Sequence, residues 1–420
     1  MARRIGRRLG WLALALPLGA QAVDAPWRLS GFGTLGLAAT DTREVGFIRD
    51  LGQPYPGVRN HLNARPDSRL GVQLDLRFTE TLRGAAQVVS KQQWDGSFRP
   101  TLTAAYLAYN PVGNLEIRAG RLGVHQVLGT DSRDVGYAHL WVRPNVEGLG
   151  FMPFNHFDGV DLKEDISLGA STRLTLKAFT GLAYEKVPVA GSDPIDFAGS
   201  SVAGLAVDLQ RGPWQARLVW DHWRNANNFP ASIAILQQGL QYYAGILQDP
   251  RLLASADAIN PTGSKADFRS LALAYEKGPI QFHGSIGRLT RDRPALPDSW
   301  SGYLSLGWRL GAFVPYATFS RAVSDRPPVP ELGAMPSLPD PVSQALVGGV
   351  RDLMRAGAMD QRTVSAGLRW DFAENADLKF QVDRVSAHDS TAGWQVIQPG
   401  WNGRATVFTV TLDFIFGRGR

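Results

Sequence analysis

From Val407 to Phe416 the chain alternates without a break. Phe408, Val410, Leu412, Phe414 and Phe416 fall on one face, and Thr409, Thr411 and Asp413 fall on the other. A period of two is the signature of a β-strand whose two faces meet different surroundings. The segment is also long enough to cross a bilayer when tilted, apolar side out and polar side in. The pattern returns at Arg69 to Thr79. There Leu70, Val72, Leu74, Leu76 and Phe78 oppose Arg69, Gln73, Asp75 and Arg77. A soluble sandwich alternates too, but its apolar face meets a second sheet. The connections between strands decide between the two.

About sixteen such segments can be read. They are Trp27–Ala39, Ser68–Glu80, Thr81–Gln92, Thr101–Asn110, Asn114–Leu122, Phe157–Asp165, Ser171–Tyr184, Ser201–Gln210, Trp214–Arg224, Ala266–Glu276, Pro279–Arg291, Ser299–Leu310, Ala312–Val323, Gln361–Phe372, Ala376–His388 and Arg404–Phe416. The sixth and thirteenth alternate poorly. Tight turns rich in Gly, Pro, Asn and Asp, such as Gln210-Arg211-Gly212-Pro213 and Glu276-Lys277-Gly278-Pro279, take every second connection. The others are long, around 40–67, 123–156, 225–265 and 324–360, or of middle length, near 92–100, 185–200, 292–298 and 389–403. A sandwich has no reason to gather all its long loops at one end. A closed up-and-down barrel does, with short periplasmic turns and long extracellular loops. The expected fold is therefore all-β: a transmembrane antiparallel up-and-down β-barrel of about 16 strands. Within the loops, Ile233 to Leu253 and Val342 to Met359 carry apolar residues at helical spacing, fitting ordered outer loops or a plug or partner surface.

The N-terminus predicts export. Arg3, Arg4, Arg7 and Arg8 precede a short apolar run from Leu9 to Leu18, and Ala20-Gln21-Ala22 forms a small-residue cleavage site. Residues 1–22 read as a cleaved signal, leaving 23–420 as one barrel. The apolar run is too short for a spanning helix, which needs about 20 residues. Removing those four arginines from the 44 Lys+Arg leaves 40 against 38 Asp+Glu, a net charge of +2. So little basicity gives no support to a nucleic-acid partner. The chain contains no cysteine, which excludes disulfides, thiolate metal sites and a cysteine nucleophile.

The first strand, Leu29-Ser30-Gly31-Phe32-Gly33-Thr34-Leu35-Gly36-Leu37, the regular alternation of turns and loops, and the aromatic last strand together resemble the Gram-negative outer-membrane porins of the sixteen-stranded kind. One departure is that Phe416 is followed by Gly417-Arg418-Gly419-Arg420, whereas the family ends on a terminal Phe. The resemblance implies an outer-membrane location among lipid and lipopolysaccharide, a homotrimer, and passive diffusion of small hydrophilic solutes or ions with no catalysis and no cofactor. In such a trimer Gly31, Gly33 and Leu35 of the first strand are a candidate contact. The resemblance also implies that the third long loop, 123–156, folds into the lumen.

That loop is dense in charge: Asp131, Arg133, Asp134, Arg143 and Glu147, with His125, Tyr137, His139 and Trp141 among them. Charges in a narrow low-dielectric passage act strongly on a passing ion. The same charges could instead tie the loop by internal Asp–Arg pairs, and both can hold at once. Strand parity turns Arg69, Arg77, Arg83, Arg118, Arg173, Lys177, Arg217 and Lys379 inward, with Asp75, Glu116, Asp161, Asp221, Asp383 and Asp413 as the acidic counterparts. The slight basic excess predicts a mild anion preference. Trp220, Tyr275, Trp300, Trp308, Trp370, Phe372, Phe414 and Phe416 face outward as candidate interface girdles. Gly31-Phe32-Gly33-Thr34-Leu35-Gly36 fits a dinucleotide fingerprint in letters only, because it lies within a strand with no helix after it. The seven histidines show no metal-binding spacing. Two alternatives stay open. One is a barrel enzyme of phospholipase type, for which His283 near Ser285 is the only hint. The other is a structural or adhesive barrel with a blocked lumen.

Overall fold

The structure, a computed structural model, describes residues 26–150, 152–189, 192–226, 230–293, 297–325, 341–388, 393–395 and 397–417. The export signal expected over 1–22 lies outside the described residues, as do residues 418–420 of the C-terminal extension.

Sixteen antiparallel strands close into a barrel. We label them in chain order: β1 Trp27–Thr40, β2 Arg69–Arg77, β3 Leu82–Lys91, β4 Thr101–Val112, β5 Leu115–Gly123, β6 His156–Ser167, β7 Thr172–Ala183, β8 Ser200–Arg211, β9 Trp214–Arg224, β10 Lys265–Lys277, β11 Ile280–Arg291, β12 Ser299–Trp308, β13 Phe313–Ser324, β14 Asp360–Ala373, β15 Ala376–Ala387 and β16 Arg404–Phe416. Each pairs with its sequence neighbours. Closure is made by β1 on β16, in register from Gly31 opposite Phe416 to Thr40 opposite Val407. Every strand segment read from the alternation is present, including the two that alternate poorly. Short turns lie at one end, where Gly212 and Gly278 take positive φ of 55° and 60°. The long connections gather at the other; the loops are numbered 1 to 8 along the chain.

Outward positions are apolar and exposed, as Leu35, Leu205, Leu218, Leu271, Leu304, Phe319 and Val364 illustrate. At the short-turn end the outward aromatics meet one another. Trp214 packs on Tyr275 with centroids 4.7 Å apart, and Phe313 stacks on Trp370 at 5.8 Å. Gly31 and Gly33, the candidate trimer contact, are already covered within the chain. The rings of Phe416 and Phe414 lie across them, so an added Cβ would come within 2.2 and 2.3 Å of ring carbons. Aromatic rings filling the space over a facing strand glycine stabilise a pair that otherwise lacks side-chain contact.

The helical periodicity in the outer loops is real. In loop 5 it forms α1 (Ala231–Leu247) and α2 (Pro250–Ala258), and in loop 7 it forms α3 (Pro341–Gly357). The three pack around Leu240, Ala244, Leu252, Val347 and Val350. In loops 1 and 8, Gly46–Phe47 pairs with Trp394–Gln395. Phe47 and Trp394 then join Val146, Ala322, Val385 and Val407 in a core inside the mouth.

Candidate functional site

Loop 3, residues 124–155, folds into the lumen. Its first part is held by β6, β9 and β10. Ser270 donates to the Gln126 carbonyl at 2.6 Å, and Arg217 donates to the Val127 carbonyl at 2.8 Å. His125 sits between Asp131 and Asp161, 3.4 Å from each, with its ring edge-on to Phe179. The loop then crosses to the far wall. Tyr137 donates to the Glu374 carbonyl at 2.8 Å. Arg369 of β14 donates to the Tyr137 and His139 carbonyls at 2.9 and 2.8 Å. Gly136 is wedged at the tip, where Lys379 donates to its carbonyl at 2.7 Å and also meets Asp413 at 3.0 Å. No side chain fits there, since a Cβ on Gly136 would lie 1.9 Å from the Asp413 carboxylate.

The returning half is fixed by buried polar contacts. Trp141 donates to Ser305 at 2.7 Å. Arg143 forms a two-pronged pair with Asp67 at 2.9 and 2.8 Å, donates to Thr409 at 2.6 Å and lies 3.4 Å from Asp383. Only 3 % of Arg143 is exposed. Its burial opposes the charge, but Asp67 and Asp383 outweigh this and raise its pKa above the ordinary arginine value. Glu147 accepts from Ser320 at 2.8 Å, from Gln361 at 2.7 Å and from Thr363. Along β9 to β16 and onto β1, the inward polar row is thus buried under the loop.

The arc from β2 to β6 is left uncovered. Between it and the loop lies a solvent-open cavity of about 1780 Å³, reaching from Arg49 and Lys186 at the mouth to Gln73 and Ala85 at mid-barrel. Its wall is polar and largely neutral at that depth. Thr103 donates to Gln87 at 2.8 Å, Gln87 to Gln73 at 2.9 Å, and Gln73 to Asp75 at 2.9 Å. Arg118 lies under the Tyr106 ring and pairs with Asp161. A smaller adjoining cavity of about 680 Å³ is lined by Arg49, Arg69, Lys91, Arg133 and Asp134.

The charges here are unequally matched. Asp50 pairs with Arg49 at 2.8 Å, Asp134 with Lys91 at 2.7 Å and Glu185 with His156 at 3.0 Å. Asp131 meets His125 and, at 3.7 Å, Arg217. Asp50, Asp131 and Asp134 on the larger cavity thus each have an arginine or lysine within 4 Å, and Glu185 also accepts from the Asn155 and His156 backbone N–H groups. Arg133 and Arg99 also line that cavity, and neither side chain forms a hydrogen bond or ion pair among the described residues. Buried Arg69, on the smaller cavity, has Nε and Nη2 without hydrogen-bond partners. Burial alone would raise the pKa of Asp134. Lys91, Arg69 and Arg133 reverse this and hold it well below the carboxylate range. Asp131 is held low in the same way by His125, Lys177 and Arg217.

The candidate residues thus fall into groups. Asp131, Arg133 and Asp134 face the open cavity from the loop, and Arg118 faces it from the wall. Arg69 faces the smaller cavity. Arg143, Glu147, Arg217, Lys379 and Asp383 are buried between loop and wall. Asp75, Arg77, Arg83 and Glu116 line the open arc toward the short turns, where Arg83 pairs with Glu116. Lys177 pairs with Asp208 at 3.1 Å, and Arg173 at the short-turn end of β7 is exposed. The sequence reading passed over Lys91, although it shares the parity of Arg83 and Gln87. It also passed over Arg49 and Asp67, which lie in a loop where no periodicity reports direction. His283 meets Glu276 at 3.2 Å and the edge of Trp141.

No family model and no curated protein matches the sequence. Solved structures do. OmpF of Salmonella typhi, in complex with daunomycin, aligns at a TM-score of 0.54 and 12% identity over 93% of this chain and 97% of its own. The anion-selective porin of Comamonas acidovorans aligns at 0.52 and 13%, over 93% of this chain and 99% of its own. The trimer form of OmpT, an outer-membrane protein of Vibrio cholerae, aligns at 0.51 and 10%, over 93% and 100%. Sixteen strands, a closed antiparallel barrel and near-complete mutual coverage agree: the fold of this chain is that of the sixteen-stranded bacterial porins.

Proposed function

We propose that the chain is an outer-membrane channel through which small hydrophilic solutes or ions diffuse passively, with a preference for anions. The observation that carries this reading is the unequal matching of charge around the open cavity. Asp50, Asp131 and Asp134 there each contact an arginine or lysine, whereas the Arg133 and Arg99 guanidinium groups are in contact with no carboxylate among the described residues and are left to meet a passing ion. In a confined passage fixed unpaired charge sets which ion enters, and paired charge contributes little beyond a local dipole. The anion selectivity of one structural relative and the trimer form of another support an anion-preferring homotrimer. The outward apolar belt supports a site in lipid, with lipopolysaccharide as the outer-leaflet neighbour.

The test is single-channel recording of the refolded mature chain in a planar bilayer under a KCl gradient. The expected result is stepwise ohmic conductance with a reversal potential of the sign given by chloride passing more readily than potassium. A folded, inserted barrel that passes no current would instead support a blocked, structural role. Release of fatty acid from phospholipid would support an enzyme.

A further inference from the structure

The outside of the barrel is not uniform at its long-loop end. Near the mouth, β10, β11, β13 and β14 each carry an outward arginine: Arg269, Arg288, Arg321 and Arg362, with Lys265, Asp267, Thr290, Val323 and Asp360 as the outward positions beyond them. Arg384 extends the row onto β15. They stand in two facing pairs. The register sets Arg269 opposite Arg288, and Arg321 opposite Arg362. One outward step toward the short turns, the same strands carry Leu271, Ile286, Phe319 and Val364, all about half exposed. The row therefore sits at the upper edge of the apolar belt. Like charges directly opposite each other on a sheet are destabilising, so two such pairs, separated by β12 with Trp300 between them, favour a compensating anion.

The protein supplies it only in part. Arg288 pairs with Asp325 at 2.5 Å and Asp298 at 3.2 Å and lies over the Trp300 ring. Arg321 has Asp360 no nearer than 3.9 Å, and Arg384 has Thr406 at 2.7 Å and Asp41 at 3.5 Å. The Arg269 and Arg362 side chains form no hydrogen bond or ion pair among the described residues, although Asp267 and Asp360 stand two residues away on the same faces. The opposite half of the barrel lacks the feature. At the loop-side ends of β2 to β8 the outward cation among the described residues is Arg121, closed onto Asp158 by two contacts of 2.6 and 2.7 Å.

We infer that this row is a binding site for phosphate-bearing lipid headgroups in the leaflet on the long-loop side. Facing side chains on paired strands stand about 5 Å apart at Cβ. Two guanidinium groups can then grip one phosphate, each with the fork geometry that phosphate oxygens accept. The acyl chains of the same lipid would continue down over Leu271, Ile286, Phe319 and Val364. The inference rests on the barrel spanning a membrane. It does not depend on whether the lumen conducts.

The test uses the full refolded barrel in zwitterionic detergent, titrated in native mass spectrometry with lipid A bearing both phosphates and with its dephosphorylated form. Wild type should retain the phosphorylated form at least about tenfold more tightly. R269A/R321A/R362A should lose at least about tenfold of that affinity, while R269K/R321K/R362K keeps most of it. Heat-modifiable gel migration and unchanged conductance would show that the variants fold, and R362Q alone provides a milder substitution should the triple fail. Equal retention of both lipids by wild type, or equal affinity of the alanine triple, would overturn the site. Millimolar inorganic phosphate that displaces the lipid completely would make it a site for free anions and overturn the lipid assignment.

Discussion

Two arcs of one barrel wall carry similar inward sequences and have opposite fates. From β9 through β16 to β1, the polar inward row is buried: Arg217, Ser270, Ser305, Ser320, Lys379, Asp383 and Thr409. Each holds loop 3 or a group that holds it. From β2 to β6 an equally polar row of Gln73, Gln87, Thr103 and Arg118 faces an open cavity. Parity sets the direction of a side chain in both arcs. Whether it meets water or another part of the protein is set by where one loop lands. In the covered arc most charges are matched, because an unpaired buried charge is costly; Asp221 of β9, buried with neither carboxyl oxygen hydrogen-bonded, is the exception among the described residues. In the open arc water solvates exposed Arg99 without a partner, while Arg69 at the loop-side end of β2 is buried with Nε and Nη2 unpartnered. Anchoring of the loop, and charge left open to the cavity, thus come from the same residue types under different solvation.

The sharpest break of this contrast is to unpair a charge in the covered arc. Arg143→Ala strands Asp67 and Asp383 without their shared guanidinium. The expected cost is about 3–5 kcal/mol, read as a lower midpoint in urea unfolding followed by tryptophan fluorescence. Loop 3 would lose its attachment to loop 1, β15 and β16, so conductance should rise or become noisy. An unchanged midpoint and quiet current would show that the loop does not depend on this pair.

The next effect is smaller and depends on pH. His139 is buried in the covered arc, and burial together with the Lys379 charge depresses its pKa to about 3. Its Nε2 lies 2.9 Å from the Ser132 carbonyl, which a neutral ring can satisfy as donor. The unfolded ring takes up a proton near pH 6.5, whereas the folded one does not until about pH 3. Stability from this group is therefore complete above pH 6.5 and falls as pH drops, by roughly 1.4 kcal/mol per unit at most. Asp134 and Asp131 have the same sign but act lower, below the ordinary carboxylate pKa of about 4. His139→Gln, which retains a donor for Ser132, should flatten the loss between pH 7 and 5 and leave the loss below pH 4. If both proteins lose stability in parallel from pH 7 to 5, His139 is not the group responsible.

The fold was legible because alternation and turn spacing are local. Phe408 to Phe416 state their own geometry, and the loop-side and turn-side ends follow from connection lengths. The division of labour among charges was not legible. Arg133 and Arg143 look alike in the sequence, ten residues apart in one loop. One faces the cavity unpartnered while the other is clamped by Asp67 from loop 1 and Asp383 from β15. Those partners are 76 and 240 residues away in the chain. No periodicity within the loop encodes them, and only closure of the barrel brings them together.

The finest distinction lies inside the open arc, between a cation that is cancelled and one that is not. Lys91 and Arg133 border the same cavity, but Lys91 is 2.7 Å from Asp134 and Arg133 has no such partner. Arg133→Met removes one unmatched positive charge, so the reversal potential in a KCl gradient should move toward the potassium side. Lys91→Met changes the lumen by the same amount, because it frees the negative charge of Asp134, and should move the potential the same way. The double variant Lys91→Met/Asp134→Asn removes both members of the pair and leaves the net charge of the passage as it was. Its reversal potential should stay near that of wild type while Arg133→Met shifts. If the double variant shifts as far as Arg133→Met, ions respond to the local dipole of the pair, and counting unpaired cations is the wrong measure of selectivity here. If neither single variant shifts, the current does not pass between loop 3 and the β2–β6 wall.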